Sequence, residues 1–439
     1  MSELGRLRAG ELAGAQRLDL SCGLTELPPE VFDLADSLEV LNLSGNALRS
    51  LPHDLHRLHR LRVLFCSDNR FTELPEAVGQ CPRLEMVAFK ANRIAQVPAA
   101  ALPPLLRWLI LTDNRIESLP AELGQRARLQ KLMLAGNRLQ ALPASMAACR
   151  ALELVRISAN RFEALPGWLP ALPRLSWLAF AGNPFDEAPE AMAMDAQPTA
   201  AIDWSSLALQ HKLGEGASGV IHQAGWRQPD GRLRPVAVKL FKGAVTSDGW
   251  PHSEMAACLA AGPHPGLIPV LGRIAHHPDA SAGLVLELVD ASFRNLAGPP
   301  SLASCTRDVY GDEARWSGET ALRMARGIAS AVARLHARGI LHGDLYGHNI
   351  LWNGRGEALL GDFGAASFLP RDDAAQSQSQ ALQRTEARAF GCLLEELAER
   401  CEAPDATTRA LLAGLQARCL DDDPAERPLF DEIAAALSP

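Results

Sequence analysis

Asn46, Asn69, Asn92, Asn114, Asn137, Asn160 and Asn183 recur at intervals of 23, 23, 22, 23, 23 and 23 residues. Each closes a block like Leu38-x-x-Leu41-x-Leu43-x-x-Asn46-x-Leu48, and most blocks continue into Leu-Pro, as at Leu51-Pro52. The run Leu18-Asp19-Leu20-Ser21-Cys22-Gly23-Leu24 lacks the Asn and one residue, and reads as an atypical first unit. A unit this short cannot bury its own leucines, so successive units must stack and share one continuous core. The Asn amide both donates and accepts, and can satisfy unpaired backbone groups where each strand ends. These Leu and Asn positions are therefore expected to build a scaffold.

The period and the motif, over about residues 16–188, resemble leucine-rich repeats. The resemblance implies an α/β solenoid over residues 1–190. Its function would lie on strand residues pointing out of the concave face. That strip should be polar, yet it carries Val63, Phe65, Met86, Trp108, Ile110, Met133 and Trp177. A protein partner on Phe65, Trp108, Met133 and Trp177 is the reading taken here; cover from another part of the same chain is the alternative.

Charge excludes some classes of partner. The formal net charge is -8; residues 1–200 carry 21 basic and 22 acidic side chains, residues 201–439 carry 22 and 29. Neither half is basic, so nothing favours nucleic acid or an anionic membrane. No apolar run approaches a membrane span, and no apolar stretch follows Met1-Ser2-Glu3-Leu4-Gly5-Arg6 as a secretory signal would need. The nine cysteines are scattered without a C-x-x-C pair. Buried thiols in a reducing cytoplasm are expected, rather than disulfides or zinc ligands.

Residues 191–204 read as a linker rich in Ala, Pro and Met. The remainder, 205–439, reads as strand-rich to Leu288 and helical from about Glu319. Helical periodicity runs through 320–338, through 388–400 and after Pro428. This order suits a two-lobed α+β domain, with one lobe to about residue 288 and the other from about 291.

Phosphoryl transfer needs one carboxylate to orient the attacking hydroxyl and two ligands for the magnesium that clamps the nucleotide phosphates. Leu341-His342-Gly343-Asp344-Leu345-Tyr346-Gly347-His348-Asn349 is followed by Asp362-Phe363-Gly364, thirteen residues beyond Asn349. Asp344, Asn349 and Asp362 are residue types for those jobs. Upstream, Leu213-Gly214-Glu215-Gly216-Ala217-Ser218-Gly219-Val220-Ile221 fits a glycine-rich turn entering a strand. Val236-Ala237-Val238-Lys239 places one of only five lysines on a strand, with Glu254 fifteen residues on. Gly283-Leu284-Val285-Leu286-Glu287-Leu288-Val289 reads as a buried strand.

Together these segments resemble a protein kinase domain over about 207–437. The resemblance implies ATP and magnesium. It assigns Asp344, Lys239 and Asn349 to catalysis, and Asn349 and Asp362 to the metal. Leu213, Gly214, Glu215, Gly216, Ala217, Ser218, Gly219, Ile221, Ala237, Lys239, Glu254, Glu287 and Val289 would hold the nucleotide. His342 would be a structural ring behind Phe363. Arg427 resembles a structural C-lobe Arg, and Glu386 stands where the family usually has Asp. With the repeats, this gives a cytoplasmic serine/threonine kinase whose solenoid recruits a partner or substrate. Abundant Arg and Ala with few Lys suggest a bacterial-type chain.

The chain departs from the family in three places. Gly343 replaces an Arg that normally answers an activation-loop phosphate, so loop phosphorylation is not expected to be the switch. Tyr346 stands where a phosphate-contacting Lys is usual. Between Gly364 and Glu386 the chain is short and has no A-P-E. These departures leave open a small-molecule phosphotransferase of the aminoglycoside-kinase type, or a nucleotide-binding pseudokinase scaffold.

Overall fold

A computed structural model describes residues 2–195, 200–216, 218–243, 245–246, 248–370 and 376–438. Contacts divide the chain into two units, Met1–Leu172 and Pro173–Pro439.

In the first unit each repeat contributes a three-residue strand, from Arg17–Asp19, Val40–Asn42 and Val63–Phe65 through to Leu154–Arg156. The strands pair in parallel with the repeat as their register, so that Leu18 lies beside Leu41, Leu41 beside Leu64, and Leu132 beside Val155. These central residues are 0% exposed, as stacking requires. The Asn ladder works as its chemistry suggests. Asn69 Nδ2 donates to the Leu43 carbonyl at 2.9 Å while its Oδ1 accepts from Leu48 N at 2.9 Å. Asn137 repeats this with Leu111 and Ile116.

The residue before each Asn is left-handed: Gly45, Asp68, Ala91, Asp113, Gly136, Ala159 and Gly182 have φ between 53° and 72°. The turn imposes that backbone, and only three of the seven are glycine. Leu-Pro then opens the return segment; most of these segments are 3-10 turns such as Ala121–Gln125 and Ala144–Ala148 rather than α-helices.

The concave strip differs from expectation. Met86 and Met133 are buried, and Phe65 and Trp108 are half-buried. Lys131 Nζ lies 4.2 Å from the centre of the Trp108 ring, a cation–π contact along the strip. Trp177 is not available to a partner: it is 1% exposed, and it belongs to the second unit, where Tyr346 covers its ring. At this residue, cover from the same chain is correct.

The second unit begins with the last repeat strand, Trp177–Ala179, and the helix Glu187–Asp195. The expected linker over 191–204 is largely structured. Its start is the end of that helix, and Ala201–Asp203 joins a sheet in parallel with Val270–Ala275; residues 196–199 lie outside the described residues. That six-stranded sheet runs Leu207–Glu215, Gly219–Arg227, Leu233–Phe241, Gly283–Glu287, Val270–Ala275, Ala201–Asp203. Apolar Ala224, Val236, Val238 and Val285 fill one cluster; Phe241 and Leu284 meet Leu259 of the helix Pro251–Ala261 in another.

The helical part follows the periodicity. Gly318–Ala337 starts at Ser317, whose hydroxyl accepts from Thr320 N, and buries Ala321, Met324, Ala325, Ile328 and Val332. Gln376–Glu399 and Phe430–Leu437 pack with it. The helix Ala406–Cys419, capped by Asp405, buries Thr408, Leu412, Leu415 and Cys419 on one face, a stripe that Leu411 and the alanines around the helix blur in the sequence.

Candidate active site

The hairpin Ile350–Trp352/Ala358–Leu360 assembles the site. Its register pairs Ile350 with Leu360, and Gly361 N donates to the Asn349 carbonyl at 2.9 Å. Thirteen residues of sequence are folded back, so Asp362 emerges beside Asn349. Asn349 Nδ2 donates to Asp344 Oδ2 at 2.8 Å and to the Asp344 carbonyl at 2.9 Å. This leaves Oδ1 as the Asn349 atom that suits a hard cation. Asp362 has φ of 52°, a left-handed conformation costing a non-glycine residue roughly 1–2 kcal/mol. Such strain persists where the surrounding structure holds it, often at a functional site.

Across from this group, Lys239 Nζ is paired with Glu254 Oε1. Burial opposes the Lys239 charge, but Glu254 and then Asp362 outweigh it and hold its pKa above the usual value. Burial raises the Glu254 pKa; the Lys239 charge opposes that and Asp362 adds to it. A Cβ on Gly364 would stand 4.0 Å from Glu254 Oε2, so the Asp362-Phe363-Gly364 turn abuts the ion pair.

The nucleotide-binding candidates are gathered on the neighbouring strands. The turn between Leu207–Glu215 and Gly219–Arg227 is closed by Gly216 N donating to the Gly219 carbonyl at 2.9 Å. Gly219 is dictated by packing, since a Cβ would stand 2.5 Å from the Leu240 carbonyl. Gly214 and Gly216 have no neighbour within 4 Å of a would-be Cβ, so no described residue explains them sterically. Glu215 is held at the turn by Lys242 and Lys212, whose hydrogen bonds lower its pKa to about 2. Ala217 lies outside the described residues, and Ser218 is buried. Ile221 is opposite Lys239, and Ala237 is opposite Leu286. Leu213 is 46% exposed. Glu287 ends its strand with its side chain on Arg234, and Val289 follows it, half-buried.

Open space above the turn fits phosphates. Asn349 Oδ1 and the Asp362 carboxylate are hard oxygen donors of the kind a divalent cation takes, next to the Asp344 side chain that Asn349 holds.

Further residues hold the catalytic segment. Glu386, fully buried, accepts from Gly343 N at 2.7 Å, His342 N at 3.3 Å and His336 Nε2 at 2.7 Å. Burial opposes its charge, but His336 and the loop amides outweigh that and depress its pKa. His342 Nε2 meets the Gly361 carbonyl at 2.9 Å, and its ring centre lies 5.2 Å from that of Phe363. Asp308, which no motif marks, accepts from His348 N at 3.0 Å and pairs with His348 Nδ1 at 2.7 Å. Only an inward-facing acid in a segment of unremarkable sequence could have hinted at it.

Residues 207–397 match the family model of protein tyrosine and serine/threonine kinases, and residues 14–71 match the leucine rich repeat model. The chain therefore carries a stretch that matches leucine-rich repeats and a domain that matches protein kinases. It is similar to a putative cyclin-dependent kinase F-2 of rice, 32% identical over 160 residues, covering 35% of this chain and 45% of that one. It is also similar to the serine/threonine/tyrosine-protein kinase HT1 of Arabidopsis, 27% identical over 154 residues, covering 27% and 40%. The Drosophila activated Cdc42 kinase Ack is 24% identical over 294 residues, covering 55% and 26%. The chain thus spans less than half the length of these relatives. They are eukaryotic and give no support to a bacterial type.

Proposed function

We propose that the chain is an ATP- and magnesium-dependent protein kinase that phosphorylates serine or threonine hydroxyls in the cytoplasm. Its leucine-rich repeats would recruit the substrate or a partner and raise its concentration beside the cleft. The observation that carries the reading is the meeting of Asp344, Asn349 and the Asp362 turn beside the Lys239–Glu254 pair. A domain that only bound nucleotide would have no need of Asp344. No helix among the described residues is long and apolar enough to cross a membrane.

In this mechanism the 214–219 turn and Lys239 hold the phosphates, and Glu254 fixes Lys239. Leu213, Ile221, Ala237, Glu287 and Val289 contact the base. Magnesium, when bound, neutralises charge on the phosphates, and Asn349 and Asp362 would hold it. Asp344 orients the acceptor hydroxyl and takes its proton. The new O–P bond forms at the γ-phosphorus as the bridging oxygen leaves with ADP.

Purified chain with labelled ATP and magnesium tests this, given a generic protein substrate and, separately, a panel of small hydroxylated acceptors. Label on protein, lost in Asp344→Ala, supports the kinase. Label on small molecules alone favours the phosphotransferase. Nucleotide binding without any transfer favours the scaffold.

A further inference from the structure

The second unit contains the last repeat, and that repeat touches three elements on which transfer would depend. Its strand Trp177–Ala179 lies on the catalytic segment. The Trp177 indole N–H donates to the Leu345 carbonyl at 3.0 Å, and its ring stacks on Tyr346 with centres 4.2 Å apart and planes 6° from parallel. The next carbonyl, of Leu178, passes close to Gly343: a Cβ there would stand 2.5 Å from it and 2.6 Å from the Ala365 carbonyl on the other side. Gly343 also has φ of 72°. Between these two carbonyls no arginine fits at this position.

Beyond the strand, Phe180 N and Ala181 N both donate to Ser367 Oγ, at 3.0 and 3.1 Å, just after the Asp362-Phe363-Gly364 turn. The helix Glu187–Asp195 then packs on the helix Pro251–Ala261. There Ser253, which precedes Glu254, donates to Glu190 at 3.1 Å. The base of this arm is pinned as well: Arg427 donates to the Pro173 carbonyl at 2.5 Å, and Arg388 to Ser176 at 2.6 Å.

In kinases, the catalytic loop, the activation-segment root and the glutamate helix are the parts that activation-loop phosphorylation sets in place. Here each is held by one covalently continuous arm. We propose that the last repeat, residues 173–195, locks the catalytic segment in its working geometry in place of a phosphorylated activation segment, with Trp177 as the positioning residue. Gly343 and Tyr346 then stop being defects. One lets the strand and the Ala365 carbonyl both close on the loop, and the other is the face that receives the indole. This inference rests on the kinase reading for its activity arm. It predicts transfer by unphosphorylated protein, and a loss of rate without loss of nucleotide affinity when the stack is removed, since a misplacement of about 1 Å can cost on the order of 100-fold.

The test uses full-length, phosphatase-treated chain, with Trp177→Ala and Trp177→Phe beside wild type. Three quantities are read: kcat with a generic protein substrate, the dissociation constant for ATP, and hydrogen exchange of amides 341–349. Trp177→Ala is expected to lower kcat at least tenfold and leave ATP affinity within threefold. Amides 341–349 should exchange at least tenfold faster while the strand Gly283–Glu287 is unchanged. Trp177→Phe, which keeps a ring over Tyr346, should recover most of the rate. Wild-type kcat and exchange in Trp177→Ala would overturn the proposal, as would wild type that works only when phosphorylated. A merely structural Trp177 would instead speed exchange throughout the unit. If Trp177→Ala does not fold, Ser367→Ala decides, because it removes the acceptor of two arm amides and should lower kcat and loosen residues 363–369; no effect on either overturns the proposal. Wild type that transfers no label, with exchange responding as described, sinks the kinase reading and leaves the positioning role supported.

Discussion

Glu386 is the buried joint between the helix Gln376–Glu399 and the catalytic segment, and Glu386→Gln probes it without opening a cavity. Its Oε2 takes the hydrogen bonds from His342 N and His336 Nε2, and its Oε1 takes the one from Gly343 N. An amide offers one carbonyl oxygen and one NH2. Whichever way it turns, at least one buried N–H faces the NH2 group. That unpaired donor costs about 1–3 kcal/mol, and the surviving bonds lose the strength a charged acceptor gave them, about 1 kcal/mol each. The sum is about 3–5 kcal/mol, a large part of the 5–15 kcal/mol typical of a domain. Urea unfolding followed by tryptophan fluorescence measures it, and six of the eight tryptophans lie in the second unit. The pH dependence has a definite sign. Glu386 has a depressed pKa in the fold, so its contribution is complete above the unfolded carboxylate pKa and fades as pH falls through the folded value. The gap between wild type and Glu386→Gln should therefore be widest near neutral pH and shrink in acid. A loss below about 1 kcal/mol, or a gap that widens in acid, would refute the reasoning.

Three other outcomes follow from the same structure. Lys239→Ala should weaken ATP binding at least tenfold by calorimetry and reduce transfer as well, because it removes a phosphate contact and leaves Glu254 buried without its partner. Asp186 is 1% exposed, and burial, with Glu190 adding, raises its pKa to about 8. A raised carboxylate binds its proton more tightly in the fold, so the second unit should lose stability as pH rises from about 4 to 8; Asp186→Asn should flatten that slope in pH-dependent melts, within a ceiling of about 6 kcal/mol. Ala91→Gly and Ala159→Gly should each raise the stability of the first unit by about 0.5–1 kcal/mol in urea titrations, since relief of the left-handed strain exceeds glycine's entropy cost.

The repeat was legible because it is written many times over, with every Leu and Asn bound to the same stacking rule. The candidate site could be read for a different reason: transfer chemistry accepts few residue types, and Asp344, Asn349 and Asp362 stand at spacings that one hairpin closes. What the sequence hid were contacts without a local signal. Trp177 carries the same pattern position as Trp108, and nothing near it says that one is buried on Tyr346 while the other rests under Lys131. Asp308 and Glu190 act on residues 40 and 63 positions away. Gly343 read as a missing arginine, because the two carbonyls that require a glycine there, of Leu178 and Ala365, lie well away from it in the chain.

The most direct test of the account is a structure of the chain with magnesium and a non-hydrolysable ATP analogue. The account predicts one magnesium held by Asn349 Oδ1 and the Asp362 carboxylate, with the phosphates under the 214–219 turn and Lys239, and Asp344 facing the γ-phosphate. Nucleotide bound elsewhere, or a metal that touches neither Asn349 nor Asp362, would contradict it.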